Sequence, residues 1–151
     1  GKFRTIETIR VRGMEFEAQA AMIINMLTRY NVQHVGIDGS GIGEAVYQLV
    51  KKRFPAAVCY QFSPASKRML VLKMLQIMRA GRWEYDRAER ELVAAFNAVR
   101  KVKKPGGFIT YETERARGIS HGDLAWATML AVINEPIGGE GENERFTVME
   151  F

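Results

Sequence analysis

The stretch QHVGIDGSGIGEAVYQLVKKRF, residues 33–54, decides the fold class. Its first six residues form a short apolar segment that ends in Asp38, and the glycine-rich turn GSGIG follows at once. From Gly43 onward, apolar residues recur at helical spacing until Pro55. A buried strand, a tight turn and an amphipathic helix in this order are typical of α/β proteins, whose ligand sites gather at the carboxyl ends of strands.

The same alternation of strands and helices extends over the rest of the chain. Ser63 and Ser120 are the expected N-caps of two helices, and Pro105 begins an expected turn. The predicted strands are residues 3–12, 33–38, 57–62 and 108–112, and the predicted helices are residues 15–30, 43–54, 64–80, 87–101 and 120–134. We therefore predict an α/β fold whose sheet is flanked by helices on both faces.

Composition predicts one globular domain with a basic body. The 151 residues are 47% hydrophobic and 26% charged, and no apolar run reaches the roughly 20 residues of a membrane-spanning helix. The first residues lack the apolar core of a secretory signal, so we expect a cytoplasmic protein. Residues 135–151 carry a net charge of −4, which leaves +9 on the preceding residues and suits a polyanionic partner.

A single cysteine, Cys59, excludes an internal disulfide and a cysteine-rich zinc site. Its apolar neighbours predict a small buried core residue. The turn after Asp38 lacks the Gly-Lys-Ser/Thr sequence of a phosphate-binding loop. We interpret it instead as a tight turn that lets the backbone approach a site.

Asp38 is the first candidate for chemistry, because a carboxylate at a strand end can face a crevice while its strand stays rigid. An aspartate there can equally cap the turn. Asp123, in the first turn of the last predicted helix, is the second candidate, although the helix dipole also explains it. Two converging carboxylates are the minimum for holding Mg²⁺ or Mn²⁺, and two such ions cleave phosphodiester bonds. The auxiliary or weaker candidates are His121, Glu44, Asp86 and Glu112.

Three stretches together resemble the nuclease domain of the large terminase subunits of tailed phages, especially temperate myophages that package from a cos site. They are HVGIDGSGIGEAVYQLV, SPASKRMLVLKMLQIMRAGRWEYD and ISHGDLAWATMLAVINEP, within residues 3–136. The motifs I-D-G-x-G-I-G and H-G-D-L-A-W-A, in this order around a lysine-bearing helix, carry the resemblance. It implies an RNase H-like fold with a mixed sheet and a metal-dependent endonuclease that cuts concatemeric double-stranded DNA during genome packaging, with Mg²⁺ or Mn²⁺ as cofactor.

The resemblance also implies roles for individual residues. Asp38 matches the acid at the end of the family's fourth strand, and Asp123 matches the acid on a late helix. Both are therefore expected catalytic metal ligands. His121 matches a histidine often found beside the second acid, and we expect it to assist catalysis.

The family's first acid has no match in this chain. The resemblance places it on a strand ahead of residue 1, so we expect an N-terminally incomplete nuclease domain over residues 1–136. Residues 137–151 are the expected flexible acidic tail. Because a central strand would be missing, we expect little nuclease activity from this chain alone, and a gap filled by another segment, dimerisation or strand exchange.

Basic residues predict contacts to DNA phosphates, although a solvated face is the alternative. The expected DNA-binding residues are Lys67, Arg68, Arg115 and Arg117. The resemblance implies double-stranded DNA, the portal protein and the small terminase subunit as partners, no membrane, and a homo-oligomer as one arrangement. The terminal RFTVMEF either docks to the portal or is inert. Two other functions stay open: a non-catalytic RNase H-like module that binds DNA or the portal, and a relative of resolvases or transposases.

Overall fold

The computed structural model describes residues 1–113, 115–116, 119–120, 122–135 and 144–150, with the backbone alone for 115–116, 119–120 and 144–150. Within these ranges, the helices are α1 (Phe16–Arg29), α2 (Gly43–Lys51), α3 (Pro64–Arg79), α4 (Arg90–Asn97) and α5 (Asp123–Val132). The strands of the same ranges are β1 (Phe3–Arg10), β2 (Gly36–Asp38), β3 (Val58–Tyr60), β4 (Trp83–Glu84), β5 (Val99–Lys103), β6 (Ile109–Thr113), β7 (Arg115–Ala116), β8 (Ile119–Ser120) and β9 (Glu144–Glu150).

The chain divides into two compact units. The first unit consists of Gly1–Ile9 together with Ser63–Glu150, and the second consists of Arg10–Phe62. Parallel strand pairs occur in both units and an antiparallel pair occurs in the first. This combination of mixed strands and helices confirms the predicted α/β class.

The second unit consists of two parallel strands and two helices. Ile37 of β2 lies opposite Cys59 of β3 and is buried. Helix α1 packs on α2, and their contact buries Ile23, Val46 and Val50. This burial explains the apolar spacing of both helices, since each turns one apolar stripe toward its neighbour.

The prediction that residues 57–62 form a buried strand is wrong in part. The strand spans only Val58–Tyr60, Val58 is 36% exposed, and Cys59 is half-buried. Among the described residues, β3 pairs only with β2, so one edge of the strand has no sheet neighbour. Cys59 is therefore not the core residue that its apolar neighbours predicted.

The sheet of the first unit has the order β4-β1-β9. Strand β1 runs parallel to β4, with Phe3 opposite Trp83. The Trp83 indole donates a hydrogen bond from Nε1 to Thr5 Oγ1 at 3.0 Å, which joins the two strands through their side chains. Strand β9 falls in the segment that was expected to be a flexible tail; the division at residue 136 stays a prediction.

Helix α3 begins and ends as its sequence predicts. The Ser63 hydroxyl accepts a hydrogen bond from the backbone N–H of Ser66, and Pro64 is the first helical residue. The helix ends at Arg79, before Gly81, and contacts α5 and β6. Its buried residues are Leu70, Val71, Met74 and Ile77.

Two predicted helices are shorter than expected. The helix expected over residues 87–101 spans only Arg90–Asn97, because Val99–Lys103 pair with β6 as an antiparallel strand. The last helix starts at Asp123 with Gly122 as its N-cap, and Ser120 belongs to β8 instead of capping the helix. None of the helices that the structure describes is long and apolar enough to cross a bilayer.

Candidate active site

Asp38 is the last residue of β2, as the sequence predicts. Beyond it, the backbone N–H of Gly39 donates to the Tyr60 carbonyl oxygen at 2.9 Å. The pairing between β2 and β3 therefore continues past Asp38. Because the backbone is hydrogen-bonded on both sides of Asp38, the position from which its side chain extends is fixed.

The Asp38 carboxylate is half-buried and is oriented by the next turn. Its Oδ1 accepts two hydrogen bonds from Ser40, one from the backbone N–H at 2.9 Å and one from Oγ at 2.7 Å. Within the described part of the chain, no hydrogen bond reaches Oδ2. One oxygen is thus fixed by the turn, and the other has its lone pairs available to a ligand.

The turn between Asp38 and α2 depends on the absence of a side chain at Gly43. A Cβ at that position would overlap the Asp38 carbonyl oxygen. The first turn of α2 therefore lies directly against the end of β2, where only glycine leaves room. This geometry supports the interpretation of GSGIG as a tight turn.

Glu44 and Cys59 form a second polar group in the same unit, which the sequence did not predict. The thiol of Cys59 donates to Glu44 Oε2 at 3.2 Å, and Gln48 Nε2 donates to Oε1 at 2.8 Å. These hydrogen bonds, from Gln48 first and then Cys59, lower the pKa of Glu44. Burial, followed by the hydrogen bond to Glu44, raises the pKa of Cys59 to about 11. The thiol is therefore protonated at neutral pH and is a poor nucleophile.

Asp123 is the first residue of α5, in the other unit, and it is half-buried. A Cβ on the preceding Gly122 would overlap the side chain of Thr113, so the start of α5 packs tightly against the end of β6. Among the described residues, the Asp123 carboxylate has no hydrogen bond or ion pair.

The two predicted metal ligands belong to different units, and each is described within its own unit. The described ranges contain no group of three or more histidine, cysteine, aspartate or glutamate residues arranged to hold a metal ion. His121 and Arg117 lie outside the described residues. Arg115 lies on β7, where only the backbone is described.

Lys67 and Arg68 lie in the second turn of α3. The Lys67 Nζ is 5.6 Å from the centre of the Trp126 ring in α5, a cation–π contact that holds the ammonium group near this helix. Trp126 follows Asp123 by three residues, about one helical turn. Arg68 is exposed. A cation of α3 is thus held beside α5, the helix that begins with one of the candidate acids.

The weaker acidic candidates have structural explanations. Asp86 Oδ1 accepts a hydrogen bond from the backbone N–H of Ala88 at 2.8 Å, which stabilises the turn before α4. Glu112 forms an ion pair with Lys104 at 2.6 Å, and this contact lowers the pKa of Glu112. Asp38 makes the same kind of turn contact as Asp86, and what distinguishes Asp38 is its place at the end of β2. Asp123 makes no such contact among the described residues.

Comparison with known proteins supports the resemblance that the motifs carry. Residues 1–135 match the terminase RNase H-like domain family. The chain is 40% identical, over its full length, to the "Terminase, ATPase subunit" of Escherichia phage P2, of which it covers 26%. It is 28% identical, over 95% of its length, to the "Probable terminase, ATPase subunit" of Haemophilus phage HP1, of which it covers 24%. The chain thus spans about a quarter of the length of these relatives.

Solved structures show the same fold. The large terminase nuclease of thermophilic phage G20c, crystallised with bound cobalt, superposes with a TM-score of 0.67 at 18% identity, covering 82% of this chain and 64% of that one. Its magnesium-bound form gives a TM-score of 0.66, also at 18% identity, covering 81% of this chain and 63% of that one. The predicted RNase H-like fold is therefore confirmed, and the chain belongs to the terminase RNase H-like domain family.

Proposed function

We propose that this chain is the metal-dependent endonuclease domain of a phage DNA-packaging terminase, cutting concatemeric double-stranded DNA in the host cytoplasm. The observation that carries the proposal is the position and hydrogen bonding of two carboxylates. Asp38 lies at a strand end with one oxygen fixed by Ser40, and Asp123 opens α5 without a partner among the described residues. The family membership supplies the context in which such acids bind metal ions.

The donor chemistry of these residues fits Mg²⁺ or Mn²⁺. Both ions are hard and prefer oxygen ligands, and Mg²⁺ in particular is held through one or two carboxylates, with water and phosphate oxygens completing the shell. Asp38 and Asp123 would supply those carboxylates. When bound, such ions activate water and stabilise the leaving oxygen of a phosphodiester. The cobalt and magnesium in the crystals of the G20c nuclease are consistent with this proposal.

The chain's own residues would orient the acids and hold the DNA. Ser40 keeps Asp38 in one rotamer, so that Oδ2 points in a constant direction. Lys67, held against Trp126, and the exposed Arg68 would neutralise backbone phosphates without reading sequence. We propose the same role for Arg115 and Arg117, and an auxiliary role for His121.

We also propose that the 151-residue chain cleaves DNA only weakly when it is alone. The resemblance implies three acids, and only Asp38 and Asp123 have matches here. The portal protein, the small terminase subunit and further copies of the chain are the proposed partners during packaging. A docking role of residues 137–151 belongs to the same proposal.

A chimera tests the proposed function. The matching quarter of the phage P2 relative is replaced by this chain, and the linearisation of plasmid DNA is measured with Mg²⁺, with Mn²⁺ and with a chelator. We expect metal-dependent cutting that Asp38→Asn and Asp123→Asn each reduce at least a hundredfold. The matched control is Asp86→Asn, which removes an acid that serves a turn and should leave cutting within twofold.

The chimera also separates the alternatives. If the folded chimera cuts equally well after Asp38→Asn and Asp123→Asn, the proposed ligands are wrong. If it binds DNA but does not cut with either metal, a non-catalytic DNA-binding module is the better assignment. The isolated chain is assayed in parallel, and robust metal-dependent nicking by it would refute the proposal of weak activity alone.

A further inference from the structure

An open groove lies between α3 and the start of β6, within the first unit. One wall is a single face of α3, and the other is formed by Phe108 and Ile109. The cavity has a volume of about 610 Å³. No candidate metal ligand is found among its described lining residues, so the groove requires an explanation of its own.

Large apolar side chains are exposed in this groove. Met69 is 55% exposed, Leu72 is 45% exposed and Phe108 is 52% exposed. All three line the cavity. Clustered apolar side chains that stay in contact with water mark a binding surface more often than single ones do. Helix α3 therefore has two apolar faces, one buried in the core and one in the groove.

The groove has the layout of a site for a helix. Its α3 wall is built by Ala65, Met69, Leu72 and Gln76, which recur at spacings of three and four residues and so follow the length of the helix. Met69 and Leu72 make the middle of this row apolar, and an apolar row beside a second wall suits an amphipathic helix, which inserts its own apolar row.

The charges at the groove indicate which charge its occupant should carry. Arg68 and Lys73 line it, and none of the lining residues that the structure describes is acidic. Lys73 Nζ donates to the carbonyl oxygen of Glu135, which holds this ammonium group beside the groove. Arg68 is exposed at the rim. An occupant with carboxylates next to its apolar row would complement both residues.

From these observations we infer that the groove binds an amphipathic helical segment of a partner protein, with an apolar row flanked by acidic side chains. DNA is the less suitable occupant. Its phosphates would pair with Arg68 but would leave Met69, Leu72 and Phe108 without contacts that remove them from water. The inference shares Arg68 with the proposed DNA contacts, and it does not depend on the two proposed metal ligands.

A synthetic probe tests the inference with the full chain. The probe is a fluorescein-labelled helical peptide with a leucine row at spacings of three and four residues and glutamates on both sides of the row. Binding is followed by anisotropy. We expect saturable binding that the triple substitution Met69→Ser, Leu72→Ser and Phe108→Ser weakens at least tenfold. The matched control is Ile42→Ser, which removes an apolar side chain that is 52% exposed in the other unit and should change nothing.

Reversing the charge of Arg68 is the second part of the binding test. Arg68→Glu changes an exposed residue and should leave the fold intact, as far-ultraviolet circular dichroism will check. The substitution should weaken binding of the glutamate peptide at least tenfold. It should strengthen binding of a peptide that has lysines in place of the glutamates. Equal binding of the two peptides to the unmodified chain, no binding of either, or binding unaffected by the triple substitution would overturn the inference. So would a short DNA duplex that displaces the peptide and loses affinity in the triple variant.

Discussion

The Asp38 side chain illustrates how one turn can prepare a carboxylate for a ligand. Ser40 contributes both its backbone N–H and its hydroxyl to Oδ1, and Gly43 leaves the space that brings α2 against the strand end. Both residues follow Asp38 within five positions, so the I-D-G-x-G-I-G motif encodes this geometry locally. That is why the position of Asp38 was predictable from sequence.

Cys59 shows where local sequence is insufficient. Its apolar neighbours predicted a core residue, yet it is half-buried and donates to Glu44, fifteen positions away in the chain. The contact exists only because α2 and β3 both pack on β2. No local pattern distinguishes a core cysteine from one that faces a carboxylate across such a contact.

The Cys59–Glu44 contact predicts a pH dependence. The pKa of Cys59 is raised from 9.0 to about 11 in the folded chain, so the folded state holds this proton more tightly than the unfolded state. The corresponding stability is fully present below pH 9 and is lost as the pH rises through 11. We expect Glu44→Gln to lower the thiol pKa and to speed alkylation of Cys59 by iodoacetamide at pH 9 several-fold. Alkylation rates that are identical in the two proteins would show that Glu44 does not act on the thiol.

At the scale of elements, the cap of α3 was predicted correctly, whereas the expected cap at Ser120 and the paired strands were not. Ser63 and Pro64 mark the start of α3 by their own chemistry. Strand β4 has only two residues and exists because it pairs with β1, eighty positions earlier. Residues 99–103 contain Lys and Arg, which favour helices, but antiparallel pairing with β6 decides their conformation.

The cap of α3 can be tested directly. Ser63→Ala removes the hydroxyl that accepts from the Ser66 N–H, and we expect it to lower the free energy of unfolding by about 1 kcal/mol in urea denaturation. Ser63→Asp, which retains an acceptor at the cap, should stay close to the unmodified chain. If Ala and Asp at this position give the same stability, the cap contributes nothing.

The start of α5 offers a second test at this scale. Gly122→Ala would force a Cβ into Thr113, and we expect a loss of about 1–3 kcal/mol in unfolding free energy, as for other overpacked sites. Because the nearest atom is the Thr113 Cγ2, Thr113→Ser should recover part of that loss in the double variant. Strictly additive effects of the two substitutions would contradict the close packing of this helix start on β6.

At the scale of the whole molecule, the resemblance predicted the family and the RNase H-like fold, and both are confirmed. Strand β9, Glu144–Glu150, lies next to β1 in the sheet. An open strand edge carries unpaired backbone groups and attracts an added strand, which gives a physical reason for this pairing. Whether another segment, dimerisation or strand exchange fills the gap that the resemblance implies stays a prediction.

Hydrogen exchange tests the place of β9. We expect the backbone amides of residues 145–150 that pair with β1 to exchange much more slowly than those of an unstructured peptide, because paired amides are protected. The measurement is exchange mass spectrometry over seconds to hours, with a synthetic peptide of residues 144–151 as the unprotected reference. Exchange of the terminal segment as fast as that of the free peptide would show that it is the flexible tail that its composition predicts.

The proposed function depends most directly on Asp38 and Asp123 each acting as a metal ligand. Mn²⁺ is titrated into the ¹⁵N-labelled chain, and paramagnetic line broadening of the backbone amides is recorded. Metal binding by these residues predicts broadening at Gly39 and Ser40 that Asp38→Asn removes, and broadening at Gly122 and Leu124 that Asp123→Asn removes. No broadening near either aspartate, or broadening that persists unchanged in the matching Asn variant, would contradict the proposed ligands.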